Sequence, residues 1–217
     1  MNDLIFTGNN PKMFGDFKEA MIKEFEMTDI GLMSYYLGIE IKQGEDGIFV
    51  NQEKFTRGIV KKFKMEDCAK VNTLVECGVK MSKNNEGEKI NFTTFKNLVG
   101  SLRYLTYTHR DILYRVRLVS RFMETLTMTH FKALKRILWY IKGTVDFGLF
   151  YDDSNSFDLV GYSNSDWDRD MDDINITTGF VFYMEDTTFI WSSKKQSIVT
   201  FSTCEAEYIV VFVIPYG

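Results

Sequence analysis

At 217 residues the chain has room for one large domain or two small ones. Its 45% hydrophobic, 15% aromatic and 26% charged residues, with only 2 Pro, describe a globular chain and exclude a disordered one. A formal net charge of -4 excludes a generally basic surface, so binding to a polyanion would need local basic patches or metal ions. No apolar run reaches the ~18 residues of a membrane-spanning helix. The start, Met1-Asn2-Asp3-Leu4-Ile5-Phe6, has no cationic region followed by a long apolar stretch, so no signal peptide is expected. Cys68, Cys77 and Cys204 show no CxxC spacing, and His109 and His130 stand apart from them. That argues against a zinc site or a disulfide framework, and it points to a reducing compartment, cytosol or nucleus.

Leu4 to Thr7 reads as a short strand, and Asn9-Asn10-Pro11 as a turn. Phe14, Phe17, Met21, Ile22 and Phe25 then recur at helical spacing. Residues 37–41 alternate as a strand, Gly44-Glu45-Asp46-Gly47 reverses the chain, and Ile48 to Val50 returns as a hairpin. Phe55, Ile59, Val60 and Phe63 mark a second helix. Residues 82–91 are polar and read as a linker. Three apolar stripes follow: Phe95, Leu98, Val99, Leu102 and Leu105; then Ile112, Val116, Val119 and Met123; then Phe131, Leu134, Ile137, Leu138 and Ile141. Gly143 ends the last of these helices, and residues 152–156 form a polar turn. Leu159 to Ser163, Gly179 to Met184 and Thr188 to Ser192 are β-prone and suggest an antiparallel meander. A fourth apolar run, residues 198–201, leads into Ser202, which with Glu205 forms a capping-box pattern and predicts a helix start there.

Several segments, in one shared order, resemble the Pol polyprotein of copia-type retrotransposons. Gly161-Tyr162-Ser163-Asn164-Ser165-Asp166-Trp167 resembles the opening strand of its ribonuclease H. Residues 178–182 and 190–196 resemble the next two strands, and Ser202-Thr203-Cys204-Glu205-Ala206-Glu207-Tyr208 the start of the first helix. Upstream, residues 98–105 and 133–138 resemble the segment that joins the two enzymes. Tyr36-Leu37-Gly38-Ile39-Glu40-Ile41 resembles a late polymerase strand, and residues 3–8 resemble the stretch just after the polymerase's paired aspartates.

The resemblance implies two-metal phosphoryl transfer with Mg²⁺ or Mn²⁺, acting on DNA, RNA or an RNA–DNA hybrid. Two dications ~4 Å apart repel unless carboxylates surround them, and a neutral amide supplies no compensating charge. Carried over residue by residue, the first catalytic Asp of the ribonuclease H falls on Asn164, which keeps the shape and loses the anion. Asp166 shares the strand parity of Asn164 and reads either as a metal ligand that partly compensates, its carboxylate roughly 6.5 Å further along the strand, or as a solvated strand-end residue. Glu207 matches the second catalytic carboxylate, with Glu205 placed to cap the helix. The family's remaining aspartates lie further downstream, and this sequence ends at Gly217, so those ligands are expected to be missing. At the polymerase end the paired aspartates read Asn2-Asp3, and Asp3 alone cannot hold a nucleotide–metal complex.

Two further departures from the pattern are His109-Arg110 where an Arg-Pro is usual and Leu126 where a Pro is common. Both loosen helix ends. Lys132, Lys135, Arg136 and Lys142 lie opposite the third apolar stripe, and Lys54, Arg57, Lys61, Lys62 and Lys64 cluster on the second helix. Each set reads either as a nucleic-acid track, with Lys61, Lys62, Lys132, Lys135 and Arg136 as its contacts, or as a solvated face. Trp191 could stack a base or sit in the core. His109 and His130 receive no catalytic role. The expected fold is α+β: a reverse transcriptase palm and thumb remnant over 1–90, a helical joining segment over 91–150, and a truncated ribonuclease H-like antiparallel sheet over 151–217. The expected protein is a catalytically inactive Pol fragment, a pseudoenzyme. The alternatives are a nucleic-acid-binding module kept without catalysis, and a ribonuclease H fragment active only with further downstream sequence. No membrane partner or small-molecule substrate is expected.

Overall fold

The computed structural model describes residues 4–76, 92–124, 126–153, 158–166, 177–195 and 202–213. The first helix, α1, spans Pro11–Phe25. Asn10 caps it, its side-chain oxygen accepting from the backbone N–H of Lys12 at 3.0 Å, and Pro11 takes the first helical position. No α1 residue is buried. The strand expected at Leu4 to Thr7 is not formed, since no backbone among the described residues pairs with it. Phe6 instead packs its ring on Phe14 and Phe17, with centroids 5.2 and 5.0 Å away.

Strands β1 (Tyr35–Tyr36), β2 (Ile39–Gly44) and β3 (Gly47–Asn51) come next, and the hairpin turns at Gly44–Gly47 as its glycines predict. Helix α2 (Glu53–Lys62) leads on to α3 (Phe92–Leu105), a short 3-10 turn, α4 (Leu113–Ser120) and α5 (Met128–Gly143). Their apolar stripes face one another. Phe95, Leu98, Leu102, Ile112, Val116, Leu134, Leu138 and Ile141 are fully buried, and Ile59 and Val60 of α2 join the same cluster. The hydrophobic core therefore draws on residues from both sides of position 90.

Strand β4 (Gly148–Asp152) was not apparent from periodicity. It pairs antiparallel with β3, from Gly47 opposite Asp152 to Asn51 opposite Gly148, and completes a sheet of order β1-β2-β3-β4. Five residues between two polar turns carry too little pattern to show a strand, and the partner lies far back in the chain. Strands β5 (Leu159–Asp166), β6 (Thr177–Met184) and β7 (Thr187–Lys195) form the expected meander, with a register irregularity at Phe182/Tyr183. Helix α6 (Thr203–Val213) packs along β5, and its start is capped where the sequence placed it: Ser202 Oγ accepts from the backbone N–H of Glu205 at 3.2 Å. The expected linker at 82–91 and the apolar run at 198–201 lie outside the described residues. The fold is mixed α and β with antiparallel sheets, in agreement with the α+β expectation. Among the described residues no helix is long and apolar enough to cross a membrane.

The second sheet meets the helices through hydrogen bonds. Arg110 donates to the Phe189 carbonyl and Arg117 to Ser192 Oγ, each at 3.3 Å, and Thr187 Oγ1 donates to the Phe150 carbonyl of β4.

Candidate functional site

Strand β5 carries Asn164 opposite Gly179 of β6, with its side chain exposed. Asp166 ends the same strand opposite Thr177. The Asp166 side chain and all of Asp3 lie outside what is described. Glu207 is exposed on α6, the helix that lies along β5. Asn164 and Glu207 thus sit on neighbouring elements. Among the described residues, no three His, Cys, Asp or Glu side chains gather as a metal-binding group.

Asn164 lines a groove of about 400 Å³ between the second sheet and Tyr114 of α4. Tyr162, Tyr183 and Trp191 of the sheet and Tyr114 of α4 bring aromatic rings to it, and Ser192 brings a hydroxyl. Trp191 is half-buried, so part of its ring is available to the groove. Tyr162 and Tyr183 meet edge to face at 6.0 Å. The Arg117 guanidinium reaches the rim at Ser192, where burial pushes its pKa below the ordinary value and the nearby charge of Arg103 adds to this. Arg115 lies 5.4 Å from the Tyr114 ring. Tyr162 and Asn164 share strand parity, a signal present in the sequence. Tyr114 joins them only because α4 docks on the sheet.

The basic candidates divide. Lys61 and Lys62 are exposed at the C-terminal end of α2, with Lys62 Nζ 5.7 Å from the Phe63 ring. Elsewhere on that helix Arg57 pairs with Glu53 at 2.8 Å, and Lys54 lies 3.8 Å from Glu40, so part of the cluster's charge is offset. On α5, Lys132 is exposed and Lys135 holds its ammonium 4.9 Å from the Phe131 ring. Arg136 donates to the Thr73 carbonyl at 3.1 Å and to Thr73 Oγ1 at 2.7 Å, and Lys142 donates to the carbonyls of Glu66 and Cys68. These two side chains fasten the 66–73 loop to α5. Lys132 and Arg136 also line, with Arg115, a second cavity of about 290 Å³ floored by Val119 and Ile137.

Both histidines are buried. His130 Nδ1 accepts the Thr127 N–H at 3.3 Å in a capping box at the start of α5, and its ring stacks on Phe122 at 4.3 Å. Burial holds the His109 imidazole below its ordinary pKa, against the opposing pull of the Asp111 and Asp146 carboxylates. Burial, with a hydrogen bond to Asp111, pushes the Tyr140 phenol up to about 12.

Residues 1–77 match the family model described as reverse transcriptase (RNA-dependent DNA polymerase). The chain is 35% identical over 208 residues to the retrovirus-related Pol polyprotein from transposon RE1 of Arabidopsis thaliana, covering 96% of this chain and 14% of that protein. It is 32% identical over 218 residues to the one from transposon TNT 1-94 of Nicotiana tabacum, covering 96% of this chain and 16% of that protein. An uncharacterized mitochondrial protein of Arabidopsis thaliana is 31% identical over 208 residues, which cover 96% of this chain and 86% of the relative. No solved structure matches. The chain thus spans a small part of the transposon polyproteins it resembles, yet the likeness runs through both sheets and the helices between them, and the chain belongs to the copia-type retrotransposon Pol family.

Proposed function

We propose that this chain is a Pol segment whose ribonuclease H-like sheet does not carry out phosphoryl transfer. The observation that carries the reading is Asn164: a carboxamide stands on β5 where the family resemblance calls for the first metal-binding aspartate. A carboxamide oxygen can accept a coordinate bond but brings no negative charge, and a pair of dications needs several anionic ligands. Glu207 on α6 supplies one carboxylate beside that strand, so the donors described do not fit a pair of Mg²⁺ or Mn²⁺ ions. The purified chain, given a labelled RNA–DNA hybrid with Mg²⁺ or Mn²⁺, is expected to release no product above the buffer blank. Metal-dependent cleavage that Glu207→Gln abolishes would overturn the reading.

A second reading, retained nucleic-acid binding, is favoured by four cations of α2 and α5. Among the described residues, no carboxylate forms an ion pair with Lys61, Lys62, Lys132 or Lys135. Binding through phosphates releases counterions and so weakens steeply with salt. Binding of an RNA–DNA hybrid should fall along a straight line in a plot of log affinity against log salt. Replacing Lys132 and Lys135 together with Ala should flatten the slope by about 2, about 1 for each phosphate contact removed. An unchanged slope in the double variant would remove these two lysines from the interface, and the absence of any salt-sensitive binding would remove the reading.

A further inference from the structure

We propose that the groove between α4 and the second sheet seats a single unpaired nucleobase of a single-stranded nucleic acid, stacked against Tyr162 and Trp191. The proposal rests on the reading that the chain binds nucleic acid and deepens it by naming the ligand and its seat. The size is right for one nucleotide: about 400 Å³ lies near the lower end of the ~300–1,000 Å³ usual for small-molecule sites and is far too small for a duplex. So is the chemistry. Aromatic rings from Tyr114, Tyr162, Tyr183 and Trp191 offer π faces, and among the described lining residues there is no carboxylate to repel a phosphate.

Tyr162 is 63% exposed and Tyr114 42%, leaving open apolar surface that a stacked base would cover. Aromatic rings beside a positively charged border are the combination by which proteins hold single strands, the rings taking bases and the cations taking the backbone. Here the border is Arg117, hydrogen-bonded to Ser192 at the rim, with Arg115 held over Tyr114. Asn164 adds what an aspartate could not: its carboxamide both donates and accepts, the pair of functions that matches the N6 and N7 edge of adenine. Gly179, across from Asn164, has among the described residues only the Ser192 and Asn164 carbonyls near the position of a side chain, at 3.7 and 3.9 Å, both ordinary van der Waals distances.

The test uses a 12-nucleotide DNA single strand with 2-aminopurine at its centre, a base whose fluorescence falls on stacking. The wild-type chain should quench it on binding. Tyr162→Ala should weaken binding about 5- to 150-fold, the factor given by ~1–3 kcal/mol of base–aromatic stacking, and should abolish the quenching. Tyr162→Phe, which keeps the ring, should retain both. Tyr35→Ala, on the other sheet, should behave as wild type. Because Tyr162 is largely exposed, its removal should leave the thermal transition in place, which circular dichroism checks. Salt-sensitive binding of the hybrid and the single strand without quenching would overturn the nucleobase seat and leave the binding reading intact. No binding of either nucleic acid would overturn both.

Discussion

Phe95→Ala should lower the unfolding free energy by about 3–5 kcal/mol, the cost of emptying a fully enclosed phenyl site. Phe95 has 0% of its surface exposed and stands in the first turn of α3, where it joins the cluster shared with α2, α4 and α5. Removing the ring loses its transfer free energy and also leaves a void, because helices braced on three sides collapse only in part. Single domains are held by roughly 5–15 kcal/mol in all, so this one change would take a large share of the total. Urea unfolding followed by circular dichroism gives the value from the midpoint and slope. Phe92→Ala, on the same helix but 50% exposed, is the internal comparison and should cost less than about 1 kcal/mol. Equal losses in the two variants would mean that α3 does not present the Phe95 face to the other helices.

Gly47→Ala is expected to be nearly as damaging, for a different reason. Gly47 opens β3 at φ +143°, a backbone conformation that side chains rarely adopt, and it lies between Gly44 of β2 and Asp152 of β4. A methyl group there would run into the Tyr151 carbonyl oxygen and come within 3.0 Å of the Asp152 Cα, so backbone on the neighbouring strand would have to move. Conformational strain of about 1–3 kcal/mol adds to an overlap cost of about 1–3 kcal/mol, together roughly 2–6 kcal/mol. The damage should concentrate where β3 meets β4. Amide exchange should accelerate at Phe49 and Phe150, which face each other across the pair, more than at Leu98 or Leu138 in the helices. Wild-type stability and exchange in this variant would show that β4 does not pair in this register.

The helices of the core, α2 to α5, were legible because each buries one face and so repeats its apolar residues every three or four positions. The stripe at Phe95, Leu98, Val99, Leu102 and Leu105 is buried along its whole length, and the start of α6 was readable from Ser202 and Glu205. The β2–β3 hairpin was readable from its glycines. Chemistry tied to residue identity was equally plain: Asn164 is neutral whatever surrounds it.

The sequence was silent wherever a feature depends on residues far apart in the chain. β4 exists because β3 offers it an unpaired edge, and five residues of its own cannot announce that. The Leu4 to Thr7 segment shows the converse, a β-like run that forms no ladder because no strand among the described residues lies beside it. Arg136 and Lys142 look like free cations along a helix until the 66–73 loop folds over and takes up their donors. The groove beside Asn164 appears only when Tyr114 of α4 docks against the sheet. Local patterns are written within a few residues by steric and solvation preferences. Strand partners, ion-pair partners and cavities are set by which surfaces the collapsed chain brings together, and only the tertiary structure decides those.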